Sequence, residues 1–170
     1  MQSSYPLDQQ CAVALCEQVA MELEAFYAYQ ALASFFQHPD RAFFNVAKYF
    51  GEMANEEVEH AKKFEEYLIL RGVQPTFRDL KSFNPDKNLT LQQAFELALK
   101  FEQKVFGSIR HVHELADKAN DGHLTTFLED IFYEDQLKAE QELNGYLTLI
   151  KRLGTGVGEF LFDKEVLGEK

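Results

Sequence analysis

The chain has 170 residues, of which 46% are hydrophobic and four are prolines. This length can bury a full hydrophobic core, and we predict a single domain over residues 1–170. Its 28 acidic and 17 basic residues give a formal net charge of −11, which argues against nucleic acid and anionic membrane surfaces as partners. Since the sequence has no apolar run of roughly 18 residues, we expect no membrane span.

The first residues show no basic segment followed by an apolar one, as a secretory signal would. Cys11 and Cys16 are the two cysteines, and their spacing on one helix is too wide for a disulfide. We therefore expect a reducing compartment. The candidates are the cytoplasm and, if a transit peptide is removed, the interior of a plastid or another organelle.

The first helix is predicted over about residues 8–37, where His38-Pro39-Asp40 interrupts it. Its apolar residues recur at alternating steps of four and three, which is typical of the buried side of a helix in a bundle. Glu22 breaks this apolar line near the middle of the helix, and Tyr29 lies on the same side.

The second helix is predicted over about residues 40–71, with Gly72 ending it. Glu57 and His60 interrupt its apolar line, and their spacing of three places both on one face. Ionisable groups in a buried line are costly without a partner, and a metal ion is a common one. An inward-facing Glu-x-x-His is also a ligand pair of metal-binding four-helix bundles.

Residues 72–89 form a long segment with two prolines, which is unusual for a loop in a compact domain. A helix of about 30 residues is roughly 45 Å long, and an extended segment of about 18 residues spans up to roughly 60 Å. The loop is therefore long enough to run the whole length of the bundle. That makes the second and third helices parallel.

The third helix is predicted over about residues 90–119, with Thr90 and Gln93 forming a capping box at its start. Its apolar line has one polar break, at Glu102. The result is one more carboxylate on the inward side of a helix.

The fourth helix is predicted over about residues 121–153, after a turn, and its apolar line is broken by Gln136. A glycine-rich hinge follows, and then a short fifth helix over about residues 159–167. Phe160, Leu161, Val166 and Leu167 are expected to form its apolar contacts. The fold class is therefore all-α.

The polar breaks lie close to the midpoints of their helices. At 1.5 Å per residue they share one level of the bundle to within roughly 5 Å. A hydrogen-bonded polar layer that fixes helix register is one alternative, but it predicts amides rather than three carboxylates and an imidazole. The sequence therefore favours a site for iron, manganese or zinc. One ion would take Glu22, Glu57 and His60, and a second would take Glu57 and Glu102, with open positions for a small molecule such as O2.

The chain resembles ferritins over nearly its full length, and the catalytic heavy-chain, plant or algal type more than bacterioferritin. The matching residues are Met21-Glu22-Leu23, Tyr27, Tyr29, residues 47–50, residues 56–61, Glu102, residues 134–136 and residues 161–168. This resemblance implies a ferritin-like four-helix bundle with one long crossover loop and a short fifth C-terminal helix. It also implies a cage of about 24 subunits that stores ferric mineral. Fe(II) would be oxidised by O2, or by peroxide, at a di-iron centre inside each subunit.

The resemblance also assigns roles to residues. Glu22, Glu57, His60 and Glu102 match the ferroxidase ligands, and Gln136 matches an amide beside the second iron. Tyr29 matches a tyrosine next to the site, where it is either a hydrogen-bonded core residue or a redox-active one.

Further matches concern iron outside the di-iron centre. Glu56 and Asp135 match two ligands of a third iron site, with Glu140 as a substitute for ligands that Lys138 and Ala139 replace. Glu59 resembles a carboxylate of the mineral surface, beside Lys62 in place of an acid. Glu129 matches the lining of a three-fold iron entry channel, in which Thr126 replaces the usual acid.

Two other classes of function remain. A ferritin-like di-metal oxidase would act on a substrate other than iron, and it usually carries a second Glu-x-x-His where this chain has Gln136 and Ala139. A non-catalytic storage or scaffold chain would lack the ligands that this sequence has.

Overall fold

The structure is a computed structural model, and it describes residues 5–168. Within that range the chain is helical, without a strand, and none of these helices is long and apolar enough to cross a membrane. The elements are α1 (Gln9–Gln37), α2 (Phe44–Leu70), α3 (Leu91–Lys118), α4 (Gly122–Leu128), a π-helical turn (Glu129–Tyr133), α5 (Glu134–Leu153), α6 (Val157–Leu161) and a second π-helical turn (Phe162–Val166).

Four long helices form the predicted bundle, because α4, the first π-helical turn and α5 follow one another without a break. The helices pack chiefly as α1 on α2 and α3 on α5, and α1 also contacts α3. Large side chains fill the space between them, among them Phe50, Phe64, Phe95 and Phe132, which are completely buried. Each contributes about 2 to 3 kcal/mol of hydrophobic stabilisation.

The predicted crossover is confirmed by contacts along its path. Arg71, just before the loop, binds Asp121 at the start of α4. Arg78 then forms ion pairs with Glu17 and Glu24 on α1, at 2.9 and 2.6 Å. Near the end of the loop, the carbonyl of Lys87 accepts a hydrogen bond from the guanidinium of Arg41, beyond the C-terminal end of α1, at 2.6 Å. The loop therefore follows α1 from its first half to its far end, and α2 and α3 are parallel.

Two helix ends lie where the local sequence predicts them. Thr90 accepts a hydrogen bond from the Gln93 amide, and the Gln93 side chain accepts one from the Thr90 amide, which completes the capping box before α3. Gly72 follows α2 with a φ of 78°, a left-handed conformation that glycine adopts at little cost.

The predicted start of the second helix at Asp40 is wrong, since α2 begins at Phe44. A turn intervenes, in which the amides of Arg41 and Ala42 both bond to the His38 carbonyl, and Ala42 has a φ of 58°. The first turn of α2 is capped by a distant residue instead. The Asp163 carboxylate accepts hydrogen bonds from the amides of Asn45 and Val46, both at 2.9 Å.

The C-terminal helix also differs from its prediction. It begins at Val157, two residues early, and passes into a π-helical turn at Phe162. The predicted contacts through Val166 and Leu167 are confirmed, since Leu167 is buried and Val166 packs against the core. Those through Phe160 and Leu161 are wrong within the subunit, because these side chains are 57% and 39% exposed, whereas Phe162 is completely buried. Phe162 packs edge-on against Phe95, with ring centroids 5.4 Å apart. The π-helical geometry changes which residues of this segment face the bundle.

Candidate metal centre

A layer of polar side chains lies inside the bundle, with contributions from α1, α2, α3 and α5. Glu22, Glu57, Glu102 and Gln136 are each no more than 3% exposed, and the His60 side chain is 12% exposed. These are the residues at which the sequence breaks its apolar lines. Counting residues from each helix midpoint therefore identified side chains that meet inside the bundle.

Glu22, Glu57 and His60 come close enough to hold one ion. One ligand atom from each lies within 4.8 Å of the other two, and Nδ1 of His60 is 3.7 Å from Oε2 of Glu57. Among the described residues these two atoms and Oε2 of Glu22 have no hydrogen-bond partner, although all three are buried. An unsatisfied buried polar atom costs about 1 to 3 kcal/mol. A divalent cation would satisfy all three atoms, and two carboxylate oxygens with one imidazole nitrogen suit iron, manganese or zinc.

Glu102 is outside this three-residue group but lies near Glu57 and raises its pKa. Its carboxylate accepts a hydrogen bond from the Tyr29 hydroxyl, and the Gln136 side chain lies near it and lowers its pKa. The Tyr29 oxygen is also 3.3 Å from the Ala98 carbonyl, and its ring stacks on Phe50. Tyr29 is thus a buried, hydrogen-bonded residue in contact with Glu102.

The buried carboxyl groups have strongly perturbed acidities. Burial and, to a smaller extent, the neighbouring Glu102 carboxyl raise the pKa of Glu57 to about 8. Burial and the nearby Glu57 hold the pKa of Glu22 well above its usual range, and burial also raises the pKa of Glu102. Without a cation, the three groups therefore retain protons at a pH where exposed glutamates are ionised.

A cavity of about 690 Å³ leads from the bundle surface to this layer. Glu57, His60, Glu102 and Gln136 contribute to its lining, and Glu56 and Asp135 lie along it with exposed side chains. Lys138 and Ala139 also line the cavity, but Glu140 does not. Of the predicted third-site residues, the structure thus brings two together next to the buried layer and leaves Glu140 outside.

The predicted channel residue Glu129 lies in the first π-helical turn, with an exposed side chain. One of its oxygens is 2.6 Å from Nε2 of His113 on α3. Thr126 is exposed one turn earlier. On α2, Glu59 forms an ion pair with Lys62 at 2.7 Å, which lowers the pKa of Glu59. The Lys62 ammonium therefore balances part of the negative charge that Glu59 presents at the surface.

Sequence reasoning missed one residue that contacts a candidate ligand. Gln18 is completely buried and bonds to Glu22 at 2.8 Å; its position four residues before Glu22 was the available signal. Phe132 lies four residues before Gln136 on the predicted apolar line of the fourth helix, and it is buried as expected. It packs edge-on against the His60 ring at 5.5 Å and stacks on Phe64 at 4.2 Å.

Known proteins provide an independent comparison. Residues 12–153 match the family described as Ferritin, ferritin-like domain. The chain is 39% identical to soma ferritin of Lymnaea stagnalis over 150 residues, covering 88% of this chain and 86% of the relative. It is 36% identical to the ferritin middle subunit of Aquarana catesbeiana (94% and 92% covered) and 35% identical to the ferritin-2 heavy chain of Schistosoma mansoni (94% and 93% covered). The matched range contains every residue of the buried polar layer, and the chain belongs to the ferritin family.

Proposed function

We propose that this chain is a catalytic ferritin subunit, which oxidises Fe(II) with O2 at a di-iron centre and stores the product as ferric mineral inside a protein cage. Iron storage follows from the family. The observation that supports the catalytic assignment is the group of three buried ligand atoms on Glu22, Glu57 and His60, which have no hydrogen-bond partner within the described range 5–168.

Iron is the substrate at this centre. Glu22, Glu57 and His60 would bind the first Fe(II), and Glu57 and Glu102 would bind the second, with Glu57 as the bridge. Two cations replace the protons that the buried carboxyls hold in their absence. Each Fe(II) gives up one electron, and the pair reduces one O2 by two electrons while solvent supplies the protons. Four protein ligands for two ions leave coordination positions open for O2.

Supporting residues have distinct parts in this proposal. Tyr29 holds Glu102 by a hydrogen bond, Gln136 lies beside Glu102, and Phe132 supports the His60 ring. The cavity beside Glu56 and Asp135 would take product iron away from the centre and offers ligands for a third ion. These parts concern orientation and transfer rather than the oxidation itself.

The remaining assignments follow from family membership and the sequence. We propose a cage of about 24 copies with iron entry near Glu129 and His113. The unpaired cysteines Cys11 and Cys16 favour a reducing compartment, such as the cytoplasm or an organelle interior.

The test is rapid mixing of anaerobically Fe(II)-loaded protein with O2, followed by absorbance. We expect a transient diferric species and then ferric product from the wild type. Glu57→Ala and His60→Ala should abolish the fast phase while particle size on gel filtration stays that of the wild type. Glu66→Ala, an exposed carboxylate on α2, is the matched control. Wild-type oxidation rates in a variant that combines Glu57→Ala and His60→Ala would refute the assignment.

A further inference from the structure

Gln18 is a completely buried amide on α1, one helical turn before Glu22. Its Nε2 atom lies 2.8 Å from Oε1 of Glu22. A glutamate that binds a metal ion is ionised and only accepts hydrogen bonds, so with metal bound the Gln18 amide nitrogen is the donor. Both side chains are shielded from water, where a hydrogen bond to an ionised carboxylate is strong.

This bond makes the two oxygens of Glu22 unequal. Oε1 is engaged by Gln18, whereas Oε2 is buried without a partner among the described residues. Glu22 also provides one ligand atom to the group with Glu57 and His60. We propose that Gln18 is a positioning residue of the metal centre: it fixes the Glu22 carboxylate so that the first metal ion is bound through Oε2 alone. This inference rests on the proposed function.

The side-chain carbonyl oxygen of Gln18 argues against a role in packing alone. The carbonyl Oε1 of Gln18 is buried and has no hydrogen-bond partner among residues 5–168. Such an atom is costly, and a methionine or leucine would fill similar space without it. The favourable contact that Gln18 makes in return is the bond to Glu22.

Gln136 is the amide on the Glu102 side of the centre. Glu102 accepts a hydrogen bond from the Tyr29 hydroxyl, and the buried Gln136 side chain lies next to Glu102 along the same cavity. Oε2 of Glu57 is buried without a hydrogen-bond partner among residues 5–168, which leaves it available to a metal ion. Since Gln18 contacts Glu22 and Gln136 lies near Glu102, Gln18 should affect the first ion and Gln136 the second.

The experiment is calorimetric titration of metal-free protein with Zn²⁺, a redox-inert probe, in which the wild type should bind two ions in sequence. We expect Gln18→Met to weaken the first step about tenfold, as loss of a partner of a metal ligand typically does, and to leave the second within about twofold. Gln136→Met should show the reverse pattern. Leu32→Met, a buried packing change further along α1, should alter neither step.

The outcomes separate the two proposals. If the wild type binds no Zn²⁺ at this centre, the proposed function fails. If it binds normally and Gln18→Met leaves the first step unchanged, or weakens both steps equally, the positioning role is refuted. If Gln18→Met does not assemble, a crystal of the Zn²⁺-loaded wild type decides: Glu22 bound through both oxygens, with its bond to Gln18 broken, would overturn the inference.

Discussion

Replacing Glu57 by glutamine should make the metal-free protein more stable while removing its iron chemistry. The glutamine has nearly the same shape and stays uncharged. Burial raises the pKa of Glu57 from 4.5 to about 8. The raised native pKa means that ionisation favours the unfolded state. This penalty is absent below about pH 4.5, grows as the pH rises, and is constant above about pH 8.

The size of the effect follows from the same two pKa values. At pH 7 the unfolded glutamate is ionised and the native one is largely protonated, which costs the wild type about 3 kcal/mol at 1.36 kcal/mol per pH unit. Above pH 8 the cost reaches about 5 kcal/mol. For a chain of this length, a gain of about 3 kcal/mol raises the melting temperature by roughly 6 to 12 °C. At pH 7 the Glu57→Gln variant should therefore be more stable than the wild type by about 3 kcal/mol. Near pH 4.5 the two proteins should be equally stable.

The assay is thermal unfolding of chelator-treated protein at one fixed concentration, at several pH values from 5 to 8.5. Glu66→Gln, an exposed change on the same helix, controls for loss of one surface charge. With added Zn²⁺ the wild type should become the more stable of the two proteins, because binding stabilises only the protein that retains the site. A Glu57→Gln variant that is less stable than the wild type at pH 7.5 without metal would refute the reasoning.

Two further predictions concern residues away from the metal centre. Asp163→Ala should destabilise the protein by about 1 to 2 kcal/mol, because the amides of Asn45 and Val46 lose their cap; urea unfolding measures this, and an unchanged midpoint would contradict it. Burial alone would raise the pKa of Asp121, but hydrogen bonds from Arg71 and the Leu124 amide outweigh it and lower that pKa. Its contribution to stability is therefore present above about pH 4 and lost as the pH falls through the depressed native value, so the difference between the wild type and Asp121→Asn should shrink in acid. A difference that is constant from pH 7 to pH 2 would contradict this account.

The sequence predicts the positions of the buried ligands because helical rise is regular. Glu22, Glu57, Glu102 and Gln136 are on different helices, yet counting residues from each helix midpoint places them at one level. The capping box at Thr90 is local in sequence and was equally accessible. The crossover followed from a length argument alone, and Arg78 and Lys87 mark its path in the fold.

What the sequence did not predict depends on contacts between distant residues. The start of α2 at Phe44 depends on Asp163, and no local pattern near Asp40 reveals that partner. The π-helical turns have no simple sequence signature, so the burial of Phe162 and the exposure of Phe160 were not foreseen. Gln18 reads as one more polar residue on a long helix until its bond to Glu22 is seen.

The cap that Asp163 provides has a consequence for synthesis of the protein. Asn45 precedes Asp163 by 118 residues, so the ribosome completes all four long helices before this cap exists. During that time, the first turn of the helix that carries Glu57 and His60 has amides without their native acceptor. A nascent chain is thus able to form most of the bundle but holds α2 firmly only once Asp163 has emerged. The order of translation makes the helix that carries Glu57 and His60 one of the last elements to become fully stable.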